Sequence, residues 1–334
     1  MFGRHRLVLP ALLGALAIAV VAPSVATADH PSHPHNPTLL ASGLAGGLGS
    51  TVGPDHALYV TEPLAGQISR IDPRTGARTT FASGLPAQIP AVGLGGVMDV
   101  AFLHKTAYAL VTLVGPDVGG SNTVGIYRID GAHSFTPVAD IGAFAVANPP
   151  TTDFFVPSGV QFAMEPYRGG FLVTDGHHNR VYRVGLDGSV SQFRAFGDIV
   201  PTGLALKGHT VYMAEAGPIP HLPQDGKIVS FDDHSSTVNE VASGGRLMVD
   251  VEFGRGNSLF GLAQGFWDNV APGTPAEPNT GQLLRANRNG TFSLIADHLN
   301  DPSSLELIGD TAYVTTLGGE VWKIDHASDP PHGH

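Results

Sequence analysis

The sequence predicts an all-β fold, a six-bladed β-propeller whose blades are four-stranded antiparallel sheets. Three observations predict it. The chain is rich in turn formers, with 43 Gly and 26 Pro among 334 residues, and only 14% of its residues are charged. A pattern of short strands returns six times, and a spare strand stands at its N-terminal end. Few segments have the apolar spacing of a helix, so we expect strands and turns throughout.

The repeat is clearest in residues 58–86, LYVTEPLAGQISRIDPRTGARTTFASGLP, which predict three strands separated by two turns. The alternating segment ISRID at 68–72 has five counterparts, at 126–130, 181–184, 228–232, 283–287 and 321–325. Each has a second strand upstream, and most repeats add a first strand before it and a fourth strand after it. Four strands in roughly 40–60 residues are typical of a propeller blade. A ring of such sheets lets each one cover its neighbour.

The ends of the propeller are predicted to meet. The sixth repeat stops at Asp325 without a fourth strand. The segment from Thr38 to Leu44 (TLLASGL) closely matches the fourth strand of the first repeat (TFASGL, 80–85). We therefore predict that it completes the last blade, with Leu39 near Trp322, because closure removes an exposed sheet edge.

The N-terminus is predicted to be a secretory signal peptide, residues 1–28. Arg4 and Arg6 precede an apolar run at 7–21, and residues 26–28 (ATA) form a small-residue cleavage pattern. The alternative is a membrane anchor, but the run falls below the roughly 20 residues that a spanning helix needs. We expect cleavage after Ala28, a secreted protein and no membrane insertion after cleavage.

The mature chain then divides into three parts. Residues 29–37 and 326–334 are His-containing tails that we expect to be disordered, with a loose Zn or Cu site as the alternative. Residues 38–325 form the propeller. The chain has no Cys, which excludes disulfides and a lipid-modified cysteine. The net charge of −11 gives no electrostatic reason to bind nucleic acid or an anionic membrane.

Three loops between second and third strands are much longer than a turn, at 112–123, 214–226 and 263–281. Long loops in a compact domain are more often functional than free. The candidate ligand-binding residues in the last two loops are Glu215, His221, Gln264, Phe266, Trp267 and Asp268. The alternative for Trp267 is that it only packs its own loop.

Alternation along the first strands predicts an acidic channel wall. Residues on the predicted channel side include Asp99, Ala101, Gln161, Asp250, Glu252 and Glu306. Asp99 and Asp250 hold matching positions in the second and fifth blades, which lie opposite each other. Asp99, Asp250 and Glu252 are the candidate metal ligands, and Ca²⁺ is the natural ion because it takes carboxylate oxygens. The alternative is a hydrated channel that binds nothing.

Other polar residues follow second strands. Glu62 and Asp175 are interpreted as acids with a structural role. The pair His177-His178 is a weak metal candidate, because adjacent side chains diverge and no third ligand is evident.

The segment LVTDGHHNRVYRV (172–184) resembles an NHL-type repeat. The resemblance implies that Asp175, and Glu62 in the matching position, tie down the turn that follows. The whole mature chain resembles the ScyD/ScyE family of secreted propellers through TLLASGL, LYVTEPLAGQISRIDPRTG and AYVTTLGGEVWKID. The resemblance implies a six-bladed ring and an exported location. It implies no catalytic residues.

Two functions remain open. The first is a binding or scaffold module that takes a small molecule, glycan or protein at the loop-bearing face, and we favour this non-catalytic role. The alternative is a metal-assisted hydrolase or lyase at the channel mouth. LYVTEPLAGQISRID resembles virginiamycin B lyase-like propellers. Against a lactonase-like site, Gly49-Ser50 stands where a Glu is wanted, and Ser158, Thr202 and Ser303 stand where Asn residues are wanted.

Overall fold

The computed structural model describes residues 34–268 and 271–328. Strands dominate it. In chain order they are β1 (Thr38–Ala41), β2 (Ser50–Val52), β3 (Leu58–Glu62), β4 (Gln67–Ile71), β5 (Arg78–Ser83), β6 (Gly96–Leu103), β7 (Thr106–Thr112), β8 (Gly125–Gly131), β9 (Ser134–Asp140), β10 (Gln161–Tyr167), β11 (Gly170–Asp175), β12 (Arg180–Val184), β13 (Val190–Ala195), β14 (Pro201–Lys207), β15 (Thr210–Glu215), β16 (Lys227–Phe231), β17 (Asn239–Ser243), β18 (Met248–Phe253), β19 (Leu259–Ala263), β20 (Gly281–Ala286), β21 (Phe292–Leu299), β22 (Pro302–Ile308), β23 (Thr311–Thr316) and β24 (Val321–Ile324).

The strands form six four-stranded antiparallel sheets, as predicted. Blades 1 to 5 are β2–β5, β6–β9, β10–β13, β14–β17 and β18–β21, and blade 6 has the order β1-β24-β23-β22. The innermost strand of each blade contacts that of the next, and β22 contacts β2. The protein is therefore a six-bladed β-propeller.

The N-terminal strand closes the ring. β1 pairs antiparallel with β24, and Leu39 stands opposite Trp322. The Thr38 hydroxyl also donates to the Lys323 carbonyl at 3.2 Å. The predicted closure is confirmed, and the last blade joins both ends of the chain.

The core lies between neighbouring blades. Between blades 1 and 2, Tyr59 packs edge-on against Phe81 and Phe102, with ring centroids 4.9 and 4.7 Å apart. Aromatic pairs of this kind contribute about 0.5–1.5 kcal/mol beyond the area they bury. Each blade thus covers the apolar face of the next. A single repeat cannot bury its own faces, so a series of such repeats predicts a ring.

Short helices occur only in connections within the described part. One α-helix, α1 (Ile141–Ala147), follows β9, and Asp140 caps it by accepting from the Ala143 N–H at 2.8 Å. Two single 3₁₀ turns are Pro116–Val118 and Arg255–Asn257. The sequence pattern did not predict α1. None of these helices is long and apolar enough to cross a membrane.

Successive connections in an antiparallel sheet alternate between its two ends. We call one end of the propeller the loop face; it carries the second-to-third-strand loops and the connections that enter each first strand. These segments bond to one another within and between blades, as in Gly244 N to Gly226 O at 3.0 Å and Leu317 N to Asp301 O at 3.0 Å. The opposite face carries the remaining turns.

The predicted signal peptide and most of both tails lie outside the described residues. Within the C-terminal tail, Ala327 is buried and Ser328 N donates to Asp310 O at 3.3 Å. The packed chain therefore continues past the predicted boundary at Asp325.

Candidate functional site

The first strands of the six blades surround a central cavity of about 200 Å³. Five carboxyl groups line it, and they are Asp99, Glu165, Asp250, Glu252 and Glu306. Strand alternation predicted four of them. The channel is therefore acidic along its length.

Asp99 and Asp250 make the same contacts on opposite sides of the ring. Each carboxylate accepts the N–H of the next residue in its own strand, at 2.8 Å. Each also accepts an N–H from the first strand of the following blade, Met164 for Asp99 and Leu305 for Asp250, both at 2.7 Å. The two aspartates therefore connect blade 2 to blade 3 and blade 5 to blade 6.

A glycine of the preceding blade makes room for each aspartate. A Cβ at Gly49 would stand 2.7 Å from the Asp99 Cα, and a Cβ at Gly203 would stand 2.5 Å from the Asp250 Cα. Both distances are far below van der Waals contact, so the inner strands approach this closely only because the residues are glycines. Gly49 occupies the position where a lactonase-like ligand was sought.

The channel aspartates are hard to ionise. The pKa of Asp99 is raised to about 8, mainly by burial and to a smaller extent by the charge of Asp250, although the N–H donors of Met164 and Val100 oppose the shift. Burial raises the pKa of Asp250 to about 7, although hydrogen bonds from the Leu305 and Val251 N–H groups and the Ser304 hydroxyl oppose the shift. Both groups bind protons near neutral pH.

Three glutamates form a second level of the channel. Glu165, Glu252 and Glu306 each pair with the middle of a second strand, in blades 3, 5 and 6. Burial, and then mutual repulsion with the other channel acids, raises the pKa of Glu165 to about 8 and the pKa values of Glu252 and Glu306 well above the ordinary value. The three glutamates are partly exposed to the channel space, but protein atoms surround them. Burial is therefore the largest cause of their raised pKa values.

The sequence pattern missed Glu165 and misplaced Gln161. A bulge between Gln161 and Met164 shifts the register of β10, so the alternation changes side within the strand. Gln161 lies buried between blades, where its side chain bonds Thr112 Oγ1 at 2.8 Å and Ser158 O at 2.9 Å. The prediction that Gln161 faces the channel is wrong for this reason.

The channel acids do not converge as a metal centre. Among the residues described, no three Asp, Glu or His side chains lie close enough together to hold an ion. Ca²⁺ takes six to eight oxygens at about 2.3–2.6 Å. Both oxygens of Asp99 and Asp250 already accept N–H donors. The channel residues therefore do not fit the Ca²⁺ site expected at Asp99, Asp250 and Glu252, and metal analysis of the purified protein is the direct test.

Trp267 and His221 join two of the long loops on the loop face. Their rings meet edge to face, 5.4 Å apart. Trp267 is only 5% exposed, and its Nε1–H donates to Thr274 Oγ1 at 3.0 Å. His221 Nδ1 lies 2.7 Å from the Gly217 carbonyl. Both side chains hold the two loops together. Trp267 therefore has a packing role, the alternative to ligand binding that the sequence left open.

The other residues of the blade 5 loop divide into buried and exposed groups. Gln264 is buried, and its amide accepts from Ala276 N at 3.0 Å and donates to Pro302 O at 3.3 Å. Phe266 is 42% exposed, with the Arg246 guanidinium 5.1 Å above its ring. Asp268 is exposed. Phe266 and Asp268 are therefore available to a ligand, and Gln264 shapes the loop.

Glu62 and Asp175 end equivalent second strands and have local partners. Glu62 accepts from the Ala45 N–H at 2.6 Å and from the Ser69 hydroxyl. Asp175 accepts from the His178 N–H at 2.9 Å, which ties down its turn as predicted. Glu62 instead fixes the connection that enters its own blade. Both acids are structural.

Glu215 ends the equivalent strand of blade 4 and differs from these two acids. It is 6% exposed, and its carboxyl has no hydrogen-bond partner among residues 34–268 and 271–328. Burial raises its pKa to about 7, although the nearby Lys227 charge opposes the shift. Glu215 is thus the ligand-binding candidate in this position whose carboxyl is free to receive a donor.

A buried polar network surrounds the two adjacent histidines of blade 3. His178 Nδ1 lies 2.9 Å from the Arg180 guanidinium, and Arg180 Nε donates to the Tyr182 hydroxyl at 2.9 Å. That hydroxyl donates to Asp175 at 2.8 Å. The Nε2 atoms of His177 and His178 both contact the backbone of residues 155–156. The histidine pair therefore has a structural role. The network depends on contacts that form only in the folded chain, so the sequence pattern could not predict it.

Large apolar side chains are exposed mainly on the loop face. Of the ten in the described part of the chain, seven lie in its loops. They are Leu64, Val146, Phe154, Phe155, Ile219, Leu222 and Phe266. Leu186 and Val238 lie in turns of the opposite face, and Leu39 lies in β1. The exposed apolar side chains are therefore concentrated on one face, although they come from several of its loops.

No known family model matches the sequence, and no curated protein matches it. Solved structures do match. Virginiamycin B lyase from Staphylococcus aureus is 14% identical, with 87% of this chain and 98% of that chain covered and a TM-score of 0.53. A gluconolactonase from Xanthomonas campestris is 12% identical, with 88% and 90% covered and a TM-score of 0.58. A chain of the nidogen/laminin complex is 14% identical, with 81% and 90% covered and a TM-score of 0.53. At these identities the likeness shows the fold, which enzymes and a protein complex share.

Proposed function

We propose that the protein is an exported binding module that captures its ligand on the loop face. One observation carries this proposal: seven of the ten exposed large apolar side chains lie there. Exposing them costs solvation free energy that a bound ligand would recover. The resemblance to the ScyD/ScyE family supports export and gives no reaction.

Ligand screening with matched variants tests the binding proposal. Phe155→Ser with Phe266→Ser removes two exposed rings from the loop face, and Leu186→Ser removes one apolar group from the opposite face. We expect ligands found by thermal shift, in a panel of peptides, glycans and small molecules, to lose their effect only on the loop-face variant. If every ligand protects both variants equally, the loop face is not the binding surface.

Export is tested separately. Expressed with its full N-terminus in a bacterial host, the protein is expected in the medium or periplasm with Asp29 as its first residue. Retention of an uncleaved chain in the cell would contradict export and leave the binding proposal standing.

The second candidate is a hydrolase or lyase at the channel mouth. The metal assistance expected from the sequence is set aside, because the channel acids do not converge as a metal centre. Asp99, Glu165 and Asp250 favour this candidate, since their pKa values are raised to about 8, 8 and 7 and groups that titrate near neutral pH suit proton transfer. The test combines metal analysis of the purified protein with a lactone and ester panel. Turnover that is lost in Asp99→Asn and Asp250→Asn would establish this candidate, and no turnover and no metal would eliminate it.

A further inference from the structure

The loop face is strongly acidic as well as apolar. Its described loops hold eight carboxylates and one basic residue, Arg246. The acids are Asp117, Asp153, Asp198, Asp225, Asp268, Glu277, Asp301 and Glu320. Most of them are exposed. A positive partner is therefore attracted to this face over a distance set by the screening length, about 8 Å at physiological salt.

The opposite face differs in charge. Its described turns and C-terminal segment hold seven acids and five basic residues. The basic residues are Arg74, Lys105, Arg168, Arg255 and Arg288. Several opposite-face charges are paired, for example Arg168 with Asp233 at 2.7 Å. The acidic excess is thus a property of the face that also exposes the apolar side chains.

The distribution of these groups favours an extended partner over a small ligand. The apolar residues come from blades 1, 4 and 5 and from the connection between blades 2 and 3. None of them lines the central cavity. Small ligands need a concave apolar pocket, whereas dispersed anchors suit a chain lying across a surface. The acidic charge also disfavours an anionic membrane as the occupant.

We propose that the loop face binds a cationic polypeptide segment whose basic residues alternate with apolar ones. This proposal rests on the proposed binding function and names its partner class. The exposed rings of Phe155 and Phe266 are the expected apolar anchors. Asp153 and Asp198, which are exposed and near the blade 3 and blade 4 entries, are the expected partners of Lys or Arg. Loop-face carboxylates would supply both attraction and orientation.

Fluorescence anisotropy with labelled peptides tests the partner class. The probes are a peptide that repeats Lys-Leu-Lys-Phe and two counterparts with every Lys replaced by Gln or by Glu. We expect the Lys peptide to bind at least about tenfold more tightly than the Gln peptide at low salt, and the Glu peptide not to bind. The preference is expected to shrink as salt rises.

Substitutions locate the binding. Asp153→Asn with Asp198→Asn should weaken the Lys peptide roughly fivefold and reduce its salt dependence. Phe155→Ser with Phe266→Ser should weaken it at all salt concentrations. The control, Leu186→Ser with Asp187→Asn, removes one apolar group and one charge from the opposite face and should change nothing.

Three results would overturn this inference: equal binding of the Gln or Glu peptide, binding unaffected by both loop-face pairs, or no binding of any peptide. Equal binding that still depends on Phe155 and Phe266 would leave the loop face as the binding surface and reject only the cationic partner. The broader binding function fails only if the ligand screen finds nothing that depends on these two rings.

Discussion

The imidazole of His177 accepts the backbone N–H of Phe155 at 2.9 Å through Nε2, and the same nitrogen accepts the Val156 N–H at 3.0 Å. A nitrogen that accepts hydrogen bonds carries no proton, so the imidazole must be neutral. The Phe155 ring also stacks edge-on to His177, with centroids 4.3 Å apart. His177 thus holds the connection that presents Phe155 on the loop face, together with His178, whose Nε2 lies 3.0 Å from the Val156 carbonyl.

Acidification is expected to release this connection. Burial, and to a smaller extent His178, lowers the pKa of His177, and Asp175 opposes the shift. Burial and, less strongly, the Arg180 charge also lower the pKa of the neighbouring His178, while Asp175, the Val156 carbonyl and Asp117 oppose the shift. Since the folded-state pKa of His177 lies below the unfolded one, its contribution is complete above about pH 6.5 and is lost as pH falls through the folded-state pKa.

Hydrogen exchange measures the release. Corrected for intrinsic rates, exchange at Phe155 and Val156 is expected to accelerate below pH 6, and His177→Ala should accelerate it about tenfold at pH 7.5, the equivalent of one lost hydrogen bond. His298→Ala, an exposed histidine elsewhere, is the control. Exchange that is unchanged in His177→Ala would mean that the connection is held by other contacts.

Close approach of blades 4 and 5 predicts a severe effect of one methyl group. Gly203→Ala is expected to destabilise the fold by about 1–3 kcal/mol, because its Cβ meets the backbone of Asp250 and no rotamer relieves the overlap. Gly197→Ala is the matched control, since a Cβ there meets nothing within 4 Å. Chemical denaturation compares the two. Equal stability of both variants would show that the inner strands are not so closely packed.

The channel acids predict that stability falls as pH rises. Their folded-state pKa values are raised, so the folded protein binds more protons than the unfolded chain between about pH 4 and 8. The stabilisation is complete below the unfolded pKa and is lost as pH rises through the folded values, so chemical denaturation is expected to show a free energy of unfolding that falls by several kcal/mol between about pH 5 and 8.

Glu306→Gln isolates one member of this group. Its carboxyl faces the other channel acids, which raise its pKa together with burial. The neutral amide should leave stability at pH 5 nearly unchanged, raise it at pH 8 and flatten the pH profile. Glu277→Gln, on an exposed loop, is the control. A profile that stays as steep in Glu306→Gln as in the parent protein would contradict the assigned titration.

Sequence periodicity predicted the fold because propeller blades are local repeats. The match between TLLASGL and TFASGL was enough to predict that Leu39 pairs near Trp322. The repeat and the alternation along the first strands also placed Asp99 and Asp250 on opposite sides of the channel. These features depend on strand order and alternation, which the sequence carries directly.

The site was less predictable because it depends on irregular backbone. Because of the bulge in β10, Gln161 lies between blades instead of facing the channel, and Glu165 lines the channel although strand alternation did not predict it. Buried Trp267 packs against His221 from another blade. Glu62 accepts the Ala45 N–H, whereas the Glu215 carboxyl has no such donor among the described residues. Contacts of this kind follow from loop conformation, which no period in the sequence specifies.

The measurement that tests the central claim most directly is hydrogen exchange with and without the bound Lys-Leu-Lys-Phe peptide. The proposed binding surface predicts protection confined to the loop-face segments 148–158, 196–200, 216–226 and 264–268. Protection of the opposite-face turns at 185–189 and 232–238, or no change on the loop face, would contradict it.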